Sequence, residues 1–557
     1  MLTFERRLRQ SGLATALALS ILALPVLAAD APAQTAAIAA PQATLLPPQL
    51  ADFTAYVDQV REEFRVPGIA VAIVKDGKVV LEQGYGLREI GKPAKVDANT
   101  LFAIASNTKA FTAAALSMLA DQGKLDMDDR VIDHLPWFRM SDPYITHAMR
   151  IRDLLAHRSG LSLGAGDLLY WPTTDYSTRE VVERLARVPI TGEFRAQYAY
   201  DNILFAVAEL VIEQVSGQDY ADFLQQHFFT PLGMDGTRIN YLALKPTDTD
   251  VATGHALYDF KDLKPAMKLA WANNSGAGGI YSSVHDMAKW ITAQLAGGVY
   301  GKDKEGKPLR LFSEKRQQEM WSVLTPIPVR KPSVPALAAA TPNFQGYGEG
   351  WHLSDYRGQK LVWHTGGWPG MVSRVTLVPG QNLGMVVLTN QEIGAAFNAV
   401  TLRILDAYLD APKTDWVAAF AAAQAKSIGK ADESWQKHLD ARAKHAPPSL
   451  ALAAYAGSYR DPWYGDVNIT LERGKLVMRF AHTSQLIGDM SPWQHDSFIV
   501  RWHDRSLNAD AFATFLLDAD AKITGLRIKA ISPRTDFSFD FQDLRLTPVA
   551  AEAKSGH

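Results

Sequence analysis

The hydrophobic and polar positions along the chain follow two different periods, and the order of these periods predicts the fold. Apolar residues recur at helical spacing in ADFTAYVDQVREEF, and GIAVAIVKDGKVVLEQGYG then has the pattern of two strands joined by Asp76-Gly77. From Thr100 to about Tyr300 the pattern is mostly helical. Strands return in YGEGWHLSD, KLVWHTGG, MVSRVTLVPG and LGMVVLTNQ. An antiparallel sheet formed from both ends of a domain, around a helical insert, is an α+β architecture.

A second region with a different pattern follows this α+β domain, which we place at residues 49–395. Residues 396–449 are Ala-rich and helical in pattern, and we interpret them as a helical linker. Beyond them the chain alternates between apolar and polar residues in DVNITLERGKLVMRF, DSFIVRW, AFATFLLDADAKITGLRIKA and TDFSFDFQDL. Short strands joined by tight turns predict a small all-β, barrel-like domain over residues 450–548.

The beginning of the sequence has the composition of a targeting segment. Residues 1–29 combine a basic start, the apolar run GLATALALSILALPVL and small residues before Asp30, which is typical of a secretory signal peptide. Residues 30–48 are rich in Ala and Pro and indicate a tether. We therefore expect a bacterial protein that is periplasmic or secreted, without stable membrane insertion once the signal is cleaved. An uncleaved membrane anchor is the alternative, although the apolar run is short for a membrane span.

Composition and charge restrict the partners and the chemistry. The 557 residues include 57 basic and 59 acidic side chains, and a formal charge of -2 gives no general attraction to nucleic acid. The chain has no cysteine, so disulfides, cysteine nucleophiles and thiolate metal sites are excluded. His495 and His503 lack a ligand set, and we expect neither metal nor cofactor. The expected partner is a small-molecule or peptide substrate, and the oligomeric state stays open.

The stretch FAIASNTKAF contains a candidate nucleophile, Ser106, three residues before Lys109. If a helix begins at Ser106, the serine lies where free N–H groups gather, and one helical turn brings Lys109 to the same face. A lysine can remove the serine proton only where a desolvated pocket holds the amine neutral. The alternative is that Ser106 caps the helix and Lys109 is solvated. The spacing alone does not decide between these two interpretations.

Two further groups of polar residues lie downstream. Tyr200 and Asn202 precede the helical stretch ILFAVAELVIEQVSG, so a phenol that relays protons and an amide that binds a carbonyl or a lysine would project from one loop. The run His364, Thr365, Gly366 and Gly367 ends the strand KLVW. A glycine pair at this position allows a substrate backbone to approach the sheet edge.

With these three elements in order, the chain resembles the serine β-lactamase and penicillin-binding-protein superfamily. It is most similar to the class C β-lactamase-related branch, which also contains D-aminopeptidases, carboxylesterases and DD-carboxypeptidases. The resemblance covers about residues 50–395 and includes IRDLLAHRSGL, GQDYADFLQQHFFTPLGMDGT and GAGGIYSSVHDMAKW. The region after it resembles the small β-barrel domain often appended to such hydrolases.

The resemblance implies a role for each candidate residue. Ser106 would be the acylated nucleophile, Lys109 and Tyr200 its base system, and the N–H groups of Ser106 and Gly367 the oxyanion hole. The expected activity is hydrolysis of an amide or ester through an acyl-enzyme. A catalytically weak, penicillin-binding sensor of cell wall or peptide is the alternative.

The sequence departs from the β-lactamase pattern at His364, where lysine is usual. A histidine is largely neutral near pH 7, so a permanent positive charge for a substrate carboxylate is missing and efficient antibiotic hydrolysis is in doubt. We expect that charge to appear as the pH falls and His364 titrates. The sequence does not choose between D-amino-acid peptides, esters and β-lactams.

The sequence also contains a second candidate nucleophile and several aromatic residues that are candidates for a pocket wall. Ser162 lies in a G-x-S-x-G match, but the strand and helix that a nucleophile elbow needs are missing around it, so we interpret Ser162 as a turn residue. Four aromatic residues are candidates for a pocket wall, and Trp368 is the best of them because it follows the glycine pair directly. The others are Tyr170, Trp171 and Trp351.

Overall fold

A computed structural model of the protein describes residues 46–550. The predicted signal peptide and nearly all of the predicted tether lie outside the described residues. Within the described part of the chain, no helix is both long enough and apolar enough to cross a membrane.

An eight-stranded antiparallel sheet forms the centre of the larger part of the molecule. Its strands follow one another along the sheet in the order β2-β1-β8-β7-β6-β5-β4-β3, so strands from both ends of the region meet at the β1–β8 pair. The strands are β1 (Gly68–Lys75), β2 (Lys78–Gly86), β3 (Thr325–Pro326), β4 (Gln345–Tyr347), β5 (His352–Tyr356), β6 (Gln359–Trp368), β7 (Met371–Val378) and β8 (Leu383–Thr389).

Strand β1 is apolar from Gly68 to Val74 because both of its faces are covered. Ile69, Val71 and Ile73 pack with the helices on one side, and the alternate residues, among them Ala70 and Ala72, pack with the helical insert on the other. A strand buried on both faces has a continuous apolar run. Helices α1 (Phe53–Glu63), α5 (Gly394–Tyr408) and α6 (Trp416–Ala441) lie on the first side.

The helical insert between β2 and β3 covers the opposite side of the sheet. Its longer helices are α2 (Thr108–Asp121), α3 (Ile203–Ser216) and α4 (Val284–Leu295). Helix α2 is buried from Thr108 to Ala120, and its small residues allow neighbouring helices to approach from all sides. Shorter helices occur at Val131–His134, Pro143–Ala148, Ile151–Leu154, Thr178–Arg184, Tyr220–Leu224, Thr230–Leu232, Ser275–Gly278 and Glu314–Met320.

The insert also contains three pairs of short strands that the sequence pattern did not predict. These pairs are Phe102–Ala103 with Tyr281–Ser282, His255–Tyr258 with Asp262–Pro265, and Val299–Lys302 with Pro308–Arg310. The first pair lies directly before the Ser106 turn and joins it to the middle of the insert.

The C-terminal region forms a second eight-stranded antiparallel sheet, in the order β15-β14-β13-β12-β11-β10-β9-β16. A bridge between Leu526 and Leu546 connects β15 to the chain just before β16, so the sheet curls into a nearly closed barrel. The strands are β9 (Gly457–Asp461), β10 (Gly465–Glu472), β11 (Lys475–Phe480), β12 (Ile487–Gln494), β13 (Ser497–Trp502), β14 (Ala511–Leu517), β15 (Ile523–Ala530) and β16 (Thr547–Pro548). The predicted α+β fold followed by a small β-barrel is confirmed.

One strand prediction is wrong. The segment TDFSFDFQDL alternates like a strand, but it forms turns and the short helical turn Phe541–Asp543. The alternation has another cause: Phe539 and Phe541 are buried, while the intervening acidic and hydroxyl side chains bind backbone and side-chain groups of the helical insert. The segment therefore docks the barrel onto the insert.

Candidate active site

Ser106 lies in a tight turn that leads into helix α2. The turn Ala105–Asn107 is followed at once by the helix, so the N–H of Ser106 stands where backbone donors have no partner inside the helical stretch. Ala105 has a φ of +46°, a left-handed conformation that costs an alanine about 1–2 kcal/mol. Strained residues of this kind cluster at functional sites, where the surrounding structure imposes them.

Lys109 lies one helical turn beyond Ser106 and is fully buried. Its Nζ donates to Asn202 Oδ1 at 2.7 Å and to the carbonyl oxygen of Ala277 at 2.8 Å, and it is hydrogen-bonded to Ser106 Oγ at 3.0 Å. In the neutral amine the first two contacts use both N–H groups, and the lone pair is left for the Ser106 hydroxyl. Burial lowers the pKa of the Lys109 amine to about 7, against the attraction of two nearby carboxylates. A substantial fraction of the amine is therefore neutral at pH 7, so Lys109 can accept the Ser106 proton.

Tyr200 closes the other side of the lysine. Lys109 Nζ lies 5.0 Å from the centre of its ring, and the ring of His157 packs against it at 4.1 Å. Burial raises the pKa of Tyr200 well above its usual value, although the neighbouring Ser106 hydroxyl lowers it in part. The phenol consequently keeps its proton at neutral pH. Tyr200 can donate or relay a proton, while the free base of the site is Lys109.

Asn202 links the lysine to a buried carboxyl group. Its Oδ1 accepts from Lys109, and its Nδ2 donates to Asp167 Oδ2 at 2.9 Å. Asp167 also accepts from the Tyr170 hydroxyl and, at 2.7 Å, from the Ser538 hydroxyl. Asp167 was not among the sequence candidates, because no motif marks it.

The end of β6 forms the wall opposite Ser106. Strand β5 pairs with β6 only as far as Trp363, so residues 364–368 keep β7 as their partner and leave their other edge open to the cavity. A Cβ at Gly366 would lie 2.1 Å from the carbonyl oxygen of Ile104, while one at Gly367 would meet nothing within 4 Å. Gly366 thus allows β6 to approach the Ser106 turn, and Gly367 faces open space.

His364 cannot supply a positive charge for a substrate carboxylate. Its side chain is buried, its Nδ1 donates to the carbonyl oxygen of Thr365 at 2.6 Å, and its Nε2 accepts from the Tyr347 hydroxyl at 2.8 Å. Burial lowers the pKa of His364 well below its usual value. The expectation that His364 becomes charged as the pH falls is therefore wrong, because protonation would place a positive charge in a buried site.

Aromatic side chains dominate the cavity above Ser106, which has a volume of about 260 Å³. Trp368 lines it as predicted, together with Tyr170 and Trp171, whereas Trp351 is buried elsewhere in the core. Its lining also includes Ser106, Tyr200, Asn202, Trp271, His364, Thr365, Gly367, Asp536, Phe537 and Ser538. Among residues 46–550, no group of three or more His, Cys, Asp or Glu side chains is arranged to hold a metal ion.

Ser162 has a structural contact. It lies in a loop with neither a strand before it nor a long helix after it, and its hydroxyl donates to Asp543 Oδ2 at 3.2 Å. Asp543 belongs to the barrel region, so Ser162 holds the two regions together. Among residues 46–550, no lysine or histidine is hydrogen-bonded to the Ser162 hydroxyl.

Two family models match the chain in sequence. The model described as Beta-lactamase matches residues 53–409, and one described as a domain of unknown function matches residues 441–548. The first match spans the sheet, the insert and every candidate residue from Ser106 to Gly367. The second spans the barrel.

Curated proteins with similar sequences come from fungi and bacteria. Unguisins hydrolase ungD of Aspergillus violaceofuscus is 30% identical over 463 residues, which is 76% of this chain and 77% of the relative. Protein flp of Staphylococcus aureus is 28% identical over 327 residues, which is 58% of this chain and 60% of the relative.

Two solved structures are similar to this chain in fold. The octameric penicillin-binding protein homologue from Pyrococcus abyssi has a TM-score of 0.56 at 19% identity and covers 89% of this chain and 99% of its own. SurE has a TM-score of 0.51 at 19% identity, with 90% and 99% covered. Taken with the match over residues 53–409, these likenesses mean that the chain belongs to the β-lactamase family of serine hydrolases and penicillin-binding proteins.

Proposed function

We propose that the protein hydrolyses an amide or ester through an acyl-enzyme on Ser106, with Lys109 as the general base. The observation that carries the proposal is the 3.0 Å hydrogen bond between a buried amine, with a pKa of about 7, and the Ser106 hydroxyl. A serine becomes an effective nucleophile when an adjacent base takes its proton.

The proposed reaction begins when the Lys109 lone pair takes the Ser106 proton while Oγ attacks the substrate carbonyl carbon. The carbonyl π electrons move to oxygen, which the N–H groups of Ser106 and Gly367 would stabilise. The bond to the leaving group then breaks, and the proton on Lys109 passes to that group, directly or through the Tyr200 hydroxyl. In the second half, water attacks the acyl carbon by the same route and releases Ser106.

The cavity favours a neutral or cationic substrate with an apolar group. Its wall is formed largely by the indole rings of Trp171, Trp271 and Trp368, which offer apolar contact area. Among the described residues that line it, there is one carboxylate, Asp536, and no arginine or lysine. With His364 neutral, no cation in this lining pairs with a substrate carboxylate, so a substrate confined to this cavity should be a neutral ester or amide rather than a penicillin. Arg534 lines the adjoining cavity, which shares Trp171 and Trp368.

The similarity to curated proteins supports a hydrolytic activity, since one of these proteins is named a hydrolase. We also propose that the protein acts outside the bacterial cytoplasm, in the periplasm or after secretion. This part of the proposal depends on the signal-like residues 1–29.

The proposal is tested with the substitutions Ser106→Ala and Ser162→Ala. Ser106→Ala should abolish turnover of nitrophenyl esters and labelling by a fluorophosphonate, whereas Ser162→Ala should keep both, because Ser162 lies outside the lining of the Ser106 cavity and contacts Asp543. A label found on Ser162 by mass spectrometry of a digest would refute the assignment. A single burst without further turnover in the wild type would instead favour the penicillin-binding sensor.

A further inference from the structure

The chain that follows β15 leaves the barrel and enters the wall of the active site. Asp536, Phe537 and Ser538 line the Ser106 cavity, and the Phe537 ring meets the Tyr200 ring edge-on at 6.0 Å. A Cβ at Gly164 would lie 2.8 Å from the Phe537 ring, so the loop accommodates Phe537 only because a glycine stands there.

This segment is anchored on both sides of Asp167. The carboxylate of Asp540 accepts from the N–H of Gly166 at 2.7 Å and from the N–H of Leu168 at 3.1 Å. Asp540 is fully buried, and both of its oxygens are used in these contacts. The barrel thus holds the backbone of the loop that carries Asp167.

Ser538 completes a chain of hydrogen bonds that ends at the base. Its hydroxyl donates to Asp167 Oδ2 at 2.7 Å, Asn202 Nδ2 donates to the same oxygen at 2.9 Å, and Lys109 Nζ donates to Asn202 Oδ1 at 2.7 Å. The Asn202 amide could present either Oδ1 or Nδ2 to Lys109. Because Asp167 accepts a hydrogen bond from Nδ2, it is Oδ1 that faces the lysine.

We propose that Ser538 is a positioning residue: through Asp167 and Asn202, the C-terminal barrel orients the general base Lys109. The inference rests on the proposed function of Ser106 and Lys109. It also gives the barrel a part in catalysis in addition to its structural contacts with the insert.

Removal of the Ser538 hydroxyl should change the charge on Asp167. Burial raises the pKa of Asp167 to about 8, and the hydrogen bonds from Ser538 and Asn202 oppose that rise. Without Ser538 the pKa of Asp167 rises further, so the pH range in which Asp167 is ionised moves further above 7. The neutral acid attracts the Lys109 ammonium less, and with one donor lost Asp167 holds the Asn202 amide less firmly, so the pKa of Lys109 falls.

Other ionisable groups surround this network. Asp201 also raises the pKa of Lys109. Burial raises the pKa of Tyr200 and lowers the pKa of His157. The negative charge of Asp536 raises the pKa of Asp167, and the negative charge of Asp167 in turn raises the pKa of Asp540. Burial also lowers the pKa values of His352 and His364, the two other histidines near this network.

The experiment compares three full-length variants with the wild type. Ser538→Ala removes the hydroxyl, Ser538→Thr keeps it, and Ser491→Ala makes the same deletion at an exposed position of β12. The measurements are kcat and KM for a nitrophenyl ester across pH, and the titration of Lys109 by ¹³C NMR of lysine-labelled protein, with Lys109→Arg to identify its signal.

In Ser538→Ala we expect kcat on the plateau to fall roughly three- to tenfold, the scale of one hydrogen bond, with KM little changed. The Lys109 titration and the acidic limb of activity should both move to lower pH. Ser538→Thr should restore both, and Ser491→Ala should match the wild type.

An unchanged Lys109 titration in Ser538→Ala overturns the inference, as does a lowered melting temperature with normal kcat per folded molecule. Because the NMR titration observes the amine itself, it gives an answer even if wild-type Ser106 cannot be acylated. Failure of Ser106 labelling would reject the proposed function, and a static Lys109 signal would reject the role of Ser538.

Discussion

The Lys109 amine should set the pH dependence of the reaction. Because burial brings the pKa of this group to about 7, the acylation rate should rise with pH along an acidic limb with its midpoint near 7. The reason is that only the neutral amine can take the Ser106 proton. The rate of fluorophosphonate labelling, measured from pH 5 to 9, gives this midpoint.

The variant His364→Gln is the control for that measurement. The His364 ring is buried and bonded at both nitrogens, so it should not titrate in this range, and the midpoint should be the same in the variant. The height of the plateau can differ, because Tyr347 loses its acceptor. A second limb between pH 5 and 7 that disappears in His364→Gln would contradict this account.

Only part of the site could be predicted at the scale of single residues. The contact of Ser106 with Lys109 follows from a separation of three residues at the start of a helix, which is a local property. The neutral state of His364 does not follow from the sequence, because it depends on Tyr347, which approaches from another strand. Asp167 was missed for the same reason, since its partners Asn202 and Ser538 come from distant parts of the chain.

At the scale of elements, the approach of β6 to the Ser106 turn depends on Gly366. We expect Gly366→Ala to reduce the labelling rate by about 10²-fold or more, because a misplacement of about 1 Å has that effect on a positioned site. The added methyl would lie 2.1 Å from the Ile104 carbonyl oxygen and 2.5 Å from Ser373 Oγ, so the strand must move away from the nucleophile. The labelling rate and the melting temperature should both fall.

The adjacent variant Gly367→Ala is a matched control. It adds the same methyl to the same strand, yet no atom lies within 4 Å of the new Cβ. Its melting temperature should therefore equal that of the wild type. Equal losses of stability in the two variants would mean that the strand, and not its approach to Ile104, is sensitive to substitution.

The elements themselves were largely predictable from their periods. The hairpin at Asp76-Gly77 has the positive φ values that an Asp-Gly turn supplies, and the run of β1 matches a strand covered on both faces. The pattern failed at TDFSFDFQDL, where alternation arises from docking against the insert. A single period does not distinguish a strand from a loop whose alternate residues are buried by a neighbouring region.

At the scale of the whole molecule, one buried acid should make stability depend on pH. Glu349 is buried, and neither carboxylate oxygen has a hydrogen-bond partner. Burial raises its pKa from 4.5 to about 7. Between these values the folded protein binds the proton more tightly than the unfolded chain, so folding stability falls as the pH rises through this window.

Glu349→Gln should remove the part of this dependence that comes from Glu349. Below about pH 4.5 the variant and the wild type should have similar stability, and above pH 7 the variant should be more stable by roughly 3 kcal/mol, at 1.36 kcal/mol per pKa unit. The difference in melting temperature between the two proteins should grow from pH 5 to 8. Glu314→Gln, at an exposed position, should show no such growth, and a constant difference for Glu349→Gln would reject the account.

The packing of the barrel against the insert could not be predicted from either region alone. The two patterns indicate two folds, but the contacts between them come from loops such as Ser162 with Asp543 and Asp167 with Ser538. Loop contacts between distant parts of a chain have no period. The G-x-S-x-G match was therefore visible in the sequence, while its structural role was not.

The position of Ser538 in the chain has a consequence for biosynthesis. It is separated from Asp167 by 371 residues, so a ribosome that adds about 5–20 residues per second takes roughly 20 to 70 seconds to make the stretch between them. For most of that interval the Ser106 turn lacks its own partners too, because it packs against Tyr281–Ser282 and the Gly366 end of β6. Between the synthesis of β8 and that of Ser538 the sheet and the turn can form, but the contact that orients the base cannot. A polypeptide that ends before Ser538 would therefore carry Ser106 and Lys109 without this contact, and its activity should be reduced rather than absent.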